Sequence, residues 1–215
     1  DILSSLLAAR DEATGAPFSF GEIVDQVCML FLAGHETSAS ALSWTLYLLA
    51  IHPEIQQQAY EEVAGILQGQ PLAPDHVKRM AGLRDIFREA LRLYPPVGFL
   101  ARECAADTTM RDKHVRKGSA VMVSPWLIHR HRGYWERPDD FDPGRFAREK
   151  PSVPLRDIYL PFGSGPRICI GAAFAMQEAV LILASLLLRY RFELAEGFVP
   201  QPVGRLTIRS ENGMH

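Results

Sequence analysis

Residues 162–171 read Phe-Gly-Ser-Gly-Pro-Arg-Ile-Cys-Ile-Gly, and an apolar run follows at once. Cys169 is one of three cysteines in 215 residues, the others being Cys28 and Cys104. An odd, sparse count argues against a disulfide framework and for a reducing compartment. A thiolate placed just before a helix faces the unsatisfied N–H groups and positive dipole end of that helix, which stabilise the anion. Gly165 and Gly171 let the backbone pass close to a large flat object. Arg167 can reach an anionic group beside that object, and Phe162 can shield the sulfur from water. These parts describe an axial thiolate for haem iron. The plainer alternative is a structural cysteine in a glycine turn. From typical residue frequencies, however, the five fixed positions recur by chance at only about 10⁻⁷ per site.

Working outward, the spacing of apolar residues predicts a helix from Gly171 to Tyr190, with Gln177 and Glu178 interrupting any reading of it as a membrane segment. Upstream, residues 133–166 are rich in Pro, Gly and aromatics and read as a long ordered loop, a kind that is often functional. Phe99 to Ser124 carries short β-like runs broken by charged turns. Leu83 to Tyr94 is a helix ended by Pro95-Pro96, and another runs from Pro53 to about Leu67. Gly21 to Ile51 is predicted as one helix far longer than average. Residues 2–9 read as the end of a helix, and two short strands near Phe192 and Leu206 finish the chain. The fold class is mainly α with minor β.

The long helix has a polar break, Ala33-Gly34-His35-Glu36-Thr37-Ser38. Gly34 costs about 1 kcal/mol there relative to alanine, and Thr37 can bond a carbonyl one turn back. Glu36 belongs in a buried segment only if paired or hydrated. Chemically, glycine leaves room for a diatomic ligand, and a hydroxyl beside a carboxylate can relay protons. A solvated stripe on an amphipathic helix is the alternative.

The cysteine loop resembles the haem-binding loop of the cytochromes P-450, the haem-thiolate monooxygenases. The polar break matches the same family's oxygen-binding helix signature throughout, with His35 at its variable position. Glu89 and Arg92, three apart on one helix face, are uninformative by spacing alone. They are similar to the family's Glu-x-x-Arg pair, and Phe141-Asp142-Pro143-Gly144-Arg145-Phe146 supplies the arginine that completes it. The family often has Glu where Gly144 stands. The resemblance covers Ala33 to Gly171 and implies the C-terminal portion of a cytochrome P-450 fold, with residues 1–215 as part of a single haem-binding domain. It also implies that an N-terminal part lies outside this chain, and an isolated segment is expected to hold haem poorly.

The same resemblance implies site residues. Cys169 ligates the iron of haem b, Arg167 and Arg102 contact propionates, Phe162 shields the sulfur, and Gly165, Gly171 and Gly34 make room for the cofactor and oxygen. Thr37 and Glu36 stabilise dioxygen and feed protons. Glu89, Arg92 and Arg145 form a structural network that locks the cysteine loop. Met29, Ala33, Val97, Phe99 and Leu100 edge a cavity for a hydrophobic small molecule. The implied activity inserts one oxygen atom of O2 into a C–H bond. Electrons come from a ferredoxin-, flavodoxin- or reductase-type partner and ultimately from NAD(P)H. A haem-thiolate peroxygenase or isomerase, a haem-based gas sensor and a haem-free helical module are the rival classes. The acid–alcohol pair argues against the first of these.

The remaining features are bland. A net charge of −2 gives no basic field for nucleic acid. His129-Arg130-His131-Arg132 looks like a metal or anion patch, but the family often has His-Arg-Asp there, which implies no metal. Cys28 and Cys104 read as small core or strand residues. No leader is visible, and a cytoplasmic location is expected.

Overall fold

The computed structural model describes residues 2–148 and 153–215. The chain falls into two compact units, Asp1–Thr37 and Ser38–His215.

In the first unit, helix α1 (Ile2–Ala8) leads to a turn organised by Asp11, whose carboxylate accepts the Thr14 hydroxyl and amide at 2.7 Å each and the Ala13 amide at 3.1 Å. These donors, the Thr14 hydroxyl foremost, hold the Asp11 carboxyl below its usual range. Helix α2 (Phe20–Ile51) starts on a capping box. The Ser19 amide donates to Glu22 at 2.8 Å, and the Glu22 amide donates to the Ser19 hydroxyl oxygen at 3.3 Å. This cap fixes the start one residue before the predicted Gly21. Cys28, expected to be a small core residue, is exposed.

In the second unit, the last turns of α2 are followed by α3 (Pro53–Leu67), a 3₁₀ turn (Pro74–Arg79) and α4 (Ala81–Leu93). Strands β1 (Leu100–Glu103), β2 (Thr108–Met110), β3 (Lys113–Val115) and β4 (Ala120–Val123) come next. Short helices α5 (Pro125–Ile128), α6 (Arg145–Arg148) and α7 (Leu155–Ile158) precede α8 (Ala172–Leu187), and β5 (Pro202–Gly204) and β6 (Ile208–Ser210) close the chain. The strands form three antiparallel pairs, β1 with β4, β2 with β3 and β5 with β6. No helix among the described residues is long and apolar enough to cross a membrane.

The apolar stripes of α2, α3, α4 and α8 meet in one core that includes Leu49, Val63, Leu83, Phe87 and Leu183. Burying each such side chain contributes roughly 1.5–3 kcal/mol. Glu62 of α3 receives the Gly82 and Leu83 amides at 2.8 Å each, so a neighbouring helix satisfies the open N–H groups of α4. The predicted strand near Phe192 does not form. The Phe192 backbone is instead held at both its amide and its carbonyl by the buried amide of Gln56, at 2.8 and 3.0 Å. Leu206 falls in the turn between β5 and β6 and is exposed. That hairpin is latched to α2 through the Ile208 carbonyl, which accepts from Ser40 Oγ at 2.6 Å and Trp44 Nε1 at 2.9 Å.

Glu89, Arg92 and Arg145 meet, and all three are buried. Arg92 donates from Nε and Nη2 to the two oxygens of Glu89 at 2.9 Å each, and Arg145 Nε donates to Glu89 Oε1 at 2.8 Å. The Asp142 amide adds a contact at 3.1 Å. Both guanidiniums also donate to backbone carbonyls. Arg92 reaches the carbonyls of His129, Pro138 and Asp140, and Arg145 those of Glu136, Arg137 and Asp140. Glu89→Ala removes the carboxylate that two buried guanidiniums share and is expected to cost ~3–5 kcal/mol in urea unfolding. Glu62→Ala, which removes only a helix cap, should cost about 1 kcal/mol. Equal losses in the two variants would contradict this assignment of the buried network.

Candidate functional site

Cys169 lies in the loop between a 3₁₀ turn, Gly165–Arg167, and α8. The Cys169 amide donates to the Phe162 carbonyl at 2.9 Å, which closes the loop, and the Ile168 amide donates to the Gly165 carbonyl at 3.1 Å. Gly163 and Gly165 take φ of +75° and +74°, a left-handed conformation that strains other residues. A Cβ built on Gly171 would lie 3.8 Å from Cys169 Sγ, so this glycine leaves the flank of the sulfur bare. Cys169 is exposed, and so are Ile168, Ile170 and Phe174 around it, with Ile170 at 90%. Phe162, expected to shield the sulfur, is half-buried and packs against the core.

Strand β1 comes close to this loop. A Cβ on Gly163 would meet Leu100 Cδ1 at 3.8 Å. Arg102, two residues along β1 and paired with Val121, is exposed and donates to the neighbouring Ala101 carbonyl at 2.8 Å. Arg167 is also exposed, Val97 is half-buried, and Phe99 is 55% exposed. A soft sulfur donor, open apolar side chains and two accessible guanidiniums fit an iron porphyrin, which brings its in-plane ligands with it and carries two carboxylates.

Met29, Ala33, Gly34, Glu36 and Thr37 belong to the first unit. Met29, Ala33 and Thr37 are spaced four apart on α2 and share a face. The Thr37 hydroxyl donates to the Ala33 carbonyl at 2.7 Å. Glu36 is half-exposed, so the helix does not bury its charge. His35 is exposed and stacks on Phe31 at 5.9 Å. A Cβ on Gly34 would meet nothing within 4 Å.

His129, which the sequence offered only as part of a metal or anion patch, has a structural place that the sequence did not indicate. It is fully buried, stacked on Tyr159 at 5.5 Å, and both ring nitrogens are engaged by backbone. The Leu160 amide donates to His129 Nε2 at 2.7 Å. An amide can only donate, so Nε2 is unprotonated and Nδ1 carries the hydrogen that goes to the Arg92 carbonyl, 3.1 Å away. Burial pulls the imidazole down from 6.5 to about 3, so the ring is neutral. Burial also raises the Tyr159 phenol, which donates to the Arg88 carbonyl at 2.9 Å. Neither nitrogen of His129 is left for a metal. Arg130 lies over the Trp126 ring at 3.7 Å, while His131 is exposed and packs on Tyr134.

Comparison with known proteins agrees with this arrangement. The family model for cytochrome P450 matches residues 1–213. Cyclooctatin synthase of Streptomyces melanosporofaciens is 39% identical over 97% of this chain and 45% of its own length. Pentalenene oxygenase of Streptomyces avermitilis is 36% identical, over 97% of this chain and 46% of its own. The crystal structure of a cytochrome P450, CYP102L1, superposes with a TM-score of 0.89 at 31% identity, over 99% of this chain and 49% of that one. The chain therefore spans just under half the length of these relatives. With its mostly helical fold, its small sheets and its cysteine loop ahead of α8, the chain belongs to the cytochrome P450 family.

Proposed function

We propose that the protein of which this chain is a part is a haem-thiolate monooxygenase that inserts one atom of O2 into a C–H bond of a hydrophobic small molecule. The observation that carries the reading is the exposed Cys169, held on a closed loop among uncovered apolar side chains. A relative that bears the name of an oxygenase supports the same class.

When bound, haem supplies the reductive activation of dioxygen that such an insertion requires. Cys169 would hold the iron through its sulfur, and the loop closed at Phe162 holds its backbone in place. Arg102 and Arg167 offer exposed guanidiniums to the propionates. Thr37 already donates its hydroxyl hydrogen to the Ala33 carbonyl, so its oxygen lone pairs remain available to accept a proton. Glu36, next in the chain, is the acid that supplies protons to that hydroxyl. Val97, Phe99 and Leu100 offer the substrate an apolar lining. Electrons arrive from a ferredoxin-, flavodoxin- or reductase-type partner that draws on NAD(P)H.

Three outcomes test this on the intact, haem-loaded protein. Turnover with a reductase, NAD(P)H and labelled dioxygen should place one labelled atom in the product, and an unlabelled product would overturn the reading. Cys169→Ser should abolish the thiolate signature of the reduced CO complex. Thr37→Ala should retain haem but divert a several-fold larger share of consumed oxygen to peroxide. Undiminished coupling of electrons to product would count against the proton relay.

A further inference from the structure

His129 stands at a junction that the site residues above do not explain. Its ring donates to the Arg92 carbonyl near the end of α4, while Arg92 Nη1 donates at 2.7 Å to the His129 carbonyl, so the two residues clasp each other in both directions. The other ring nitrogen takes the Leu160 amide. From Leu160 the bonding continues directly into the cysteine loop. The Gly163 amide donates to the Leu160 carbonyl at 3.1 Å, and the Cys169 amide donates to the carbonyl of Phe162, the residue before Gly163. One imidazole thus links the Glu89–Arg92–Arg145 network to the backbone that carries the thiol.

We propose that His129, as its neutral Nδ1–H tautomer, is a positioning residue for the Cys169 thiolate, fixing the entry to its loop through the Leu160 amide. This rests on the haem-thiolate reading. The geometry gives the role a direction. Protonating Nε2 would replace the acceptor of the Leu160 amide with a second donor, and two hydrogens would then face each other. The charged groups facing the ring also oppose protonation. Arg92 from α4 and Arg130 from the adjoining segment are cations, and the Tyr159 phenol stacked on the ring is neutral. Because the folded imidazole titrates far below the unfolded one, its contribution is complete above pH about 6.5 and is lost as pH falls from there toward 3.

The test compares His129→Gln, His129→Asn and His129→Leu in the intact, haem-loaded protein. Glutamine places its Oε1 where Nε2 stands and keeps an acceptor for the Leu160 amide. Asparagine replaces only the Nδ1 end, and leucine replaces neither. The readouts are the thiolate signature of the reduced CO complex, the iron reduction potential and urea stability against pH. Glutamine should keep the parental signature, while asparagine and leucine should show a several-fold larger fraction without thiolate ligation and a shifted potential. If leucine fails to load haem, the glutamine–asparagine pair decides. Relative to His129→Gln, the parental folding equilibrium should weaken about tenfold per pH unit below 6.5. Unchanged signature and potential in asparagine would overturn the positioning role, as would equal loss in asparagine and glutamine. A parental protein without any thiolate signature would instead sink the haem-thiolate reading on which the proposal stands.

Discussion

The second unit depends on one carboxylate. Glu89 is fully buried on α4, and its charge is tolerable there only because two guanidiniums and a backbone amide surround it. The constraint also runs outward. Residues 129–142 form little regular structure, so their carbonyls lack the partners that a helix or sheet provides. Arg92 and Arg145 supply those partners, reaching the carbonyls of His129, Glu136, Arg137, Pro138 and Asp140. The ion network is therefore a scaffold for irregular chain, and Glu89 holds both of its struts in position.

That scaffold lets the reactive group stay open. An exposed thiol on a free loop would sample many positions, and its usefulness as a ligand would fall accordingly. Here the left-handed glycines at 163 and 165 turn the chain sharply, and the amide of Cys169 closes the loop on the Phe162 carbonyl. The core anchors the far side through Phe162 and α8. Exposure and order coexist because the order comes from backbone bonds, while the side chains of Ile168, Cys169 and Ile170 remain outside.

Much of this was legible in the sequence for physical reasons that differ by element. Pro53 and the Pro95-Pro96 pair mark helix ends because proline limits what the backbone can do. The cysteine loop was readable because several unusual residues stand in a fixed order. The Glu89–Arg92 pair was not readable from spacing, since a surface pair looks the same, and only the resemblance pointed to Arg145. The turn between β2 and β3 was hidden, because Arg111 and Asp112 take φ of +47° and +63° without a glycine to announce it. The terminal strands were misplaced because apolar content was read as strand, whereas Gln56 holds Phe192 and the pairing falls elsewhere. The bonding of His129 was hidden in the sequence because its partners lie 31 and 37 residues away. The Ser19–Glu22 box carried a signal that could have been used.

The proposed chemistry depends on sulfur from residue 169 bonding to iron. X-ray absorption at the iron edge of the intact, haem-loaded protein tests this most directly. One sulfur scatterer at bonding distance is expected beside the porphyrin nitrogens, lost on Cys169→Ala. A first shell of nitrogen and oxygen alone in the parental protein would contradict it.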